Sequence, residues 1–205
     1  MQETLVDLLR MAGRRSCLPM VVCCSTRDEL DAVCSAVSNL SYISIATLYS
    51  DLAEAERARV FERFRQTTVK WNKYAAADSA SADGDGDGDR NGDGDGDGDG
   101  DGDGDGDGGE EEEEKEERKS HMIIVTDACL PLLGAGESPI SARVLINYEL
   151  PTKKETYMRR IATCLAADGI VINMVVGGEV VTLKSIEESS GLIIAEMPIN
   201  IFEML

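Results

Sequence analysis

The chain has 205 residues, 42% of them hydrophobic and 29% charged, with a formal net charge of −19. That length suits one domain with a single core, and no apolar run reaches the roughly 18–20 residues of a membrane-spanning helix. The acidity is local: residues 78–119 hold 20 acidic and 4 basic residues while the rest hold 19 and 16, so net charge says little about what the folded part binds.

Residues 4–11 predict a short amphipathic helix with Leu5, Leu8 and Leu9 on one face. The N-terminal stretch carries charges inside its apolar pattern and has no apolar region of the secretory type. Residues 19–24, PMVVCC, form a continuous apolar run of strand length. Ser25 and Thr26 then offer a helix cap, and residues 27–40 carry Leu30, Val33, Cys34 and Val37 at helical spacing. Residues 42–48 are rich in β-branched side chains and predict the next strand. Residues 53–66 predict a charged amphipathic helix with Ala55, Val60, Phe61 and Phe64 on its apolar side.

Residues 78–119 read as a disordered insert. Most of this stretch is an Asp-Gly repeat, followed by a glutamate run, and it has nothing apolar to bury. Asp99, Asp101, Asp103, Gly104 and Glu110 fall at calcium-loop spacing. The repeat meets that pattern in every register, Gly106 replaces the apolar eighth residue, and amphipathic flanks are missing, so a calcium-binding hand is not expected.

After the insert, residues 122–125 and 143–148 predict strands, 154–165 a helix, 169–175 a strand and 180–190 a last helix. Residues 193–198 read as extended and 199–205 as a helical turn. The six cysteines lack zinc-ligand spacing and read as reduced, buried thiols of an intracellular protein. Strands apolar throughout suit a parallel sheet buried on both faces. Alternating β and α units make the fold α/β: a doubly wound, mostly parallel sheet with helices on both faces, assembled from residues 1–77 and 120–205 across the insert. In such a sheet the loops after the strands form the ligand surface, which places Ser25–Arg27, Tyr49–Asp51, Thr126–Asp127 and Tyr148–Pro151 on one edge.

Several segments fall in an order that resembles one family. VVCCSTRDELDAV, LYSDLAEAERARVFERFR, IIVTD, VLINYELP, ETYMRRI, GIVINMV and EMPINIFEML are together similar to the second, C-terminal RecA-like domain of DEAD-box RNA helicases, above all the translation-initiation and exon-junction group. The resemblance covers nearly all of the chain outside the insert. It implies a RecA-like fold and an RNA-facing role for Thr26, Arg27, Asp51, Arg57, Thr126 and Asp127. Arg159 and Arg160 fill the first pair, His-Arg in the family, of its nucleotide-side helix. The residues alone leave other readings open: Thr26 and Asp51 also suit helix caps, Arg57 a surface ion pair, and Asp127 a group that orients its own loop.

The departures from the family bear on catalysis. The loop after Thr126-Asp127 reads ACLPLLGAG where the family carries Ala-Arg-Gly and then an aspartate, and the connection to the next strand is longer. Thr163 and Ala166 fall where the two γ-phosphate arginines are expected, and neither replaces the charge of an arginine finger. A GxxxxGK[ST] phosphate loop and an Asp-Glu-Ala-Asp run are absent from these 205 residues. The expectation is therefore no catalysis and no cofactor for the chain on its own, with ATP and magnesium only if a first RecA-like domain completes the cleft in trans. The partners expected are RNA, held weakly and without sequence preference, or a helicase-binding scaffold protein; a membrane or DNA is not expected. The compartment expected is cytoplasm or nucleus. Half of a helicase completed in trans, or a decayed helicase fragment, are the alternatives.

Overall fold

A computed structural model describes residues 1–81 and 118–198, with side chains for 1–76 and 118–198. Five strands alternate with five helices: α1 (Gln2–Ala12), β1 (Pro19–Cys24), α2 (Arg27–Val37), β2 (Ile43–Leu48), α3 (Glu54–Ser81), β3 (Ser120–Thr126), β4 (Ala142–Asn147), α4 (Lys154–Cys164), β5 (Leu165–Asn173) and α5 (Val180–Ser190). Short 3-10 turns at Asp127–Cys129, Leu133–Ala135 and Gly177–Glu179 complete the described residues.

The strands form one sheet in the order β2-β3-β1-β4-β5, and every pairing is parallel. Central β1 is buried at all six positions because it has a neighbour on each side and helices on each face. Its even-numbered residues Met20, Val22 and Cys24 join Leu5, Leu9, Leu30 and Val33 of α1 and α2. Its odd residues Val21 and Cys23 join Phe64 of α3 and Cys164 of α4. The period-two alternation of a strand thus divides the core into two layers. The expected α/β architecture, with helices on both faces of a parallel sheet, is what the chain forms.

The main differences from the sequence expectation lie at the ends of elements. Helix α3 continues past Gln66 to Ser81. Thr67 and Trp71 are buried in the continuation, and Trp71 joins the α1–α2 core layer, so tertiary packing extends the helix beyond its obvious apolar face. Strand β5 begins at Leu165, directly after α4, and not at Gly169. It pairs Ala142 with Leu165 but Val144 with Ile170, so β5 bulges outward over this step. Arg143 holds the bulge by an ion pair to Asp168 (2.7 Å). Finally, α2 stops at Val37, three residues short of the sequence expectation. At the far end α5 closes on Gly191, whose φ of 71° suits a residue without a Cβ. The expectation of disorder falls largely on residues outside those described, as do the calcium-loop match and the helical turn at 199–205.

Candidate functional site

Parallel strands carry all their carboxyl ends to one edge, and Arg160 of α4 joins three of them. Its side chain is fully buried. Nε and Nη2 donate to the two oxygens of Asp127, each at 2.7 Å. Nη1 donates to the Asn147 side-chain oxygen (3.0 Å) and the Glu149 carbonyl (2.8 Å), and Nη2 also reaches Ser25 Oγ at 3.4 Å. All five guanidinium donors are thereby matched to acceptors following β1, β3 and β4. Burial is the largest influence and opposes the Arg160 charge, but the hydrogen bonds to Asp127 and the electrostatic attraction of Cys23, Asp127 and Cys24 together outweigh it and leave its pKa raised. Asn147 passes the network to Asn173 (2.8 Å), which donates to Tyr157 Oη (3.0 Å).

Arg159 is exposed, and its Nη2 donates to the Asp127 carbonyl at 2.7 Å. Arg159, Arg160 and Asp127 are thus brought together, with Arg160 turned inward. Thr126 donates to Cys129 Sγ (3.4 Å). Thr163 is buried and donates to the Arg159 carbonyl of its own helix (2.7 Å), while Ala166 lies half-buried on β5.

Thr26 is the N-cap of α2. Its Oγ1 accepts from the Glu29 amide (3.3 Å), and the Glu29 carboxylate accepts from the Thr26 amide (3.2 Å), which closes a capping box. Arg27 pairs with Asp51 (3.3 Å) and lies 4.8 Å from the Tyr49 ring centre, and Tyr49 donates to Asp31 (2.6 Å). Arg57 pairs with Glu137 (3.3 Å), which also accepts from the Leu132 amide (2.9 Å). The long loop after β3 is therefore tied back to α3 by Arg57.

The sequence placed Ser25 and Glu149 on this edge without a role at Arg160, and it did not single out Asn147. The signal was present, because β4 and β5 each end an apolar run in asparagine and the two asparagines pair in register. Glu149 accepts from the Ser25 amide (3.0 Å), and burial followed by the neighbouring Glu29 raises its pKa above 4.5. The Cys24 thiol is pushed up to about 12 by burial, then by Glu29 and Glu149. Among the described residues no cluster of His, Cys, Asp or Glu is placed to hold a metal ion, and no helix is long and apolar enough to cross a membrane.

The chain is 41% identical over 64 residues to the ATP-dependent RNA helicase FAL1 of Candida albicans, a stretch that is 30% of this chain and 16% of that protein. It is 35% identical over 88 residues to eukaryotic initiation factor 4A of Cryptosporidium parvum, 42% of this chain and 21% of that protein. In structure it matches a DEAD box protein from Methanococcus jannaschii over 96% of this chain and 38% of that one, with a TM-score of 0.56 and 18% identity. It also matches the C-terminal domain of the DEAD-box protein Dbp5 over 93% of this chain and 78% of that one, with a TM-score of 0.52 and 17% identity. The domain is similar to the C-terminal domain of DEAD-box RNA helicases. The matched stretch of this DEAD-box-like domain spans only about a fifth of the curated helicases' length. No family model matches the chain.

Proposed function

We propose that this helicase-related domain works by binding a protein, without the phosphoryl-transfer chemistry of an intact helicase. One observation carries the reading: three of the four arginines named at the carboxyl edge are matched by carboxylates. Arg27 faces Asp51, Arg57 faces Glu137, and Arg160 faces Asp127. Glu29, Asp31 and Glu149 add further negative charge nearby. RNA affinity comes mainly from cations that neutralise phosphates, and cations already paired contribute less. Thr163 and Ala166 supply no charge in place of the arginine fingers.

Relatives have protein partners as well as RNA. A Dbp5 variant's C-terminal domain from S. cerevisiae is known bound to Gle1 and IP6, and Dbp5 is also known bound to RNA and ADP BeF3. A scaffold that recognises this half of a helicase is the partner class proposed here, with the domain competing as a decoy in the cytoplasm or nucleus. The six free cysteines suit such a reducing compartment. Arg159 favours a second reading: among the described residues its guanidinium meets only a carbonyl, so its charge is available to a phosphate in a cleft completed in trans.

The test is RNA binding by fluorescence anisotropy at low salt, with and without a separate first RecA-like domain and ATP, for the full chain and for one lacking residues 82–117. The proposal expects weak binding that ATP does not tighten. Binding that appears only with ATP and the first domain overturns it in favour of the trans reading.

A further inference from the structure

Two of the six cysteines meet inside the core. Cys23 of β1 turns toward the layer of α3 and α4, and Cys164 closes α4 in the same layer. Their sulfurs are 4.0 Å apart although the two residues stand 141 positions apart in the chain. Both side chains are fully buried. Cys24 has no part in this contact, because strand alternation turns it to the opposite layer. Cys129 shares the layer, but its sulfur accepts from the Thr126 hydroxyl. A disulfide needs sulfurs about 2.05 Å apart, so about 2 Å of closure, shared between two side chains, turns this contact into a bond.

We propose that Cys23 and Cys164 form a reversible disulfide, made by hydrogen peroxide and undone by a dithiol reductant, that ties the end of α4 to the central strand. Arg160 lies one turn before Cys164, so the bond also fixes the helix that carries Arg159 and Arg160. The Cys164 thiolate attacks one peroxide oxygen. An S–O bond forms, the O–O bond breaks, and the leaving hydroxide takes the Cys164 proton to become water. The Cys23 sulfur then attacks the sulfenic sulfur. The S–S bond forms, the S–O bond breaks, and hydroxide leaves with the Cys23 proton as a second water. Two thiols lose two electrons and one peroxide accepts them, giving one disulfide and two waters.

The surroundings assign the two roles. The hydrogen bond between the sulfurs pulls the Cys164 thiol down and pushes the Cys23 thiol up, while burial opposes ionisation of both. The Thr163 hydroxyl, 3.6 Å from Cys164 Sγ, and the Arg160 guanidinium also favour the Cys164 thiolate. Cys164 is the attacking thiol and Cys23 the resolving one. Access comes from the adjoining strand. Cys164 leads directly into β5, which bulges between Leu165 and Ile170 and exposes Ala167 and Asp168 there. The Arg143–Asp168 pair holds the bulge, and local opening at that point admits a small oxidant.

The test treats the reduced full chain with hydrogen peroxide under native conditions and then blocks the remaining thiols with N-ethylmaleimide. Tryptic peptides 16–27 and 161–184 carry the two cysteines. The expected mass spectrum shows these peptides joined, two hydrogens lighter than their sum, and separated again by dithiothreitol. Cys23→Ala and Cys164→Ala each remove the link, and Cys24→Ala and Cys129→Ala leave it. Oxidation raises the thermal midpoint by roughly 5–15 °C, because the bond closes a long loop in the unfolded chain. Asp168→Asn loosens the bulge and forms the link about two- to fivefold faster. Absence of the link while half-exposed Cys34 becomes oxidised overturns the proposal, as does a link formed only after unfolding in urea. A Cys164 partner other than Cys23, or a thermal midpoint that falls on oxidation, overturns it too. A rate unchanged in Asp168→Asn overturns the bulge as the way in.

Discussion

Arg160 holds the carboxyl edge together, and replacing it by methionine is the sharpest test of that statement. Methionine keeps much of the length and none of the donors. The change strands the Asp127 carboxylate, which has 22% side-chain exposure and now accepts two bonds of 2.7 Å. It also leaves Asn147 Oδ1 and the Glu149 carbonyl without their guanidinium partner. Breaking a buried ion pair from one side costs about 3–5 kcal/mol, because the remaining charge stays desolvated. For a domain of this size that lowers the thermal midpoint by roughly 6–20 °C. Arg160→Lys should fall between wild type and Arg160→Met, since an ammonium keeps the charge and loses the planar fork. Adding Asp127→Asn to Arg160→Met should recover part of the loss, with a coupling of about 1–3 kcal/mol in a double-mutant cycle. Urea and thermal unfolding followed by circular dichroism measure each quantity. Loss of less than about 1 kcal/mol in Arg160→Met, the range of an ordinary surface change, would refute the network as a structural joint.

The remaining predictions concern single contacts. Thr26→Ala should cost about 0.5–2 kcal/mol of stability through the capping box, and Thr26→Ser much less; an effect on RNA affinity with no effect on unfolding would contradict the cap. Trp71→Ala should cost about 3–5 kcal/mol in urea unfolding, because Trp71 anchors the second half of α3 in the core; a change below about 1 kcal/mol would detach that half from the fold. Thiol titration under native conditions should label half-exposed Cys34 first and Cys24 slowly even at pH 8, given a Cys24 pKa of about 12; fast labelling of several thiols would contradict the burial. Glu149 has a folded pKa raised above 4.5, so its ionisation disfavours the folded state, and stability from this group falls as pH rises from 4.5 through the folded value. Glu149→Gln keeps an oxygen for the Ser25 amide, so it should be more stable than wild type at pH 7 and similar near pH 4; lower stability at pH 7 would reverse the sign.

The ladder of apolar strands and amphipathic helices was legible because binary patterning acts locally. Pro19–Cys24 can be buried on both faces only in the middle of a sheet, and Leu5, Leu8 and Leu9 can share only one helix face. The carboxyl edge followed from the parallel order, which brought Arg27 to Asp51 and Asp127 to Arg160. The C-terminal end of α3 and the start of β5 were not legible. Trp71 extends its helix through contacts with distant residues, and the bulge after Leu165 depends on Arg143 across the strand pair.

The sequence by itself determined which residue types reach the edge and that the arginine-finger positions hold Thr163 and Ala166, because both follow from chain order. Only the tertiary structure decided what those residues do there. Arg160 turns inward because three strand ends present five acceptors to it, and Thr26 closes a capping box because Glu29 folds back onto it. The contact between Cys23 and Cys164 likewise exists only through the meeting of β1 and the end of α4, which lie far apart in the chain. Hydrogen-bond partners and thiol contacts depend on distances across the fold, and a linear pattern does not contain them.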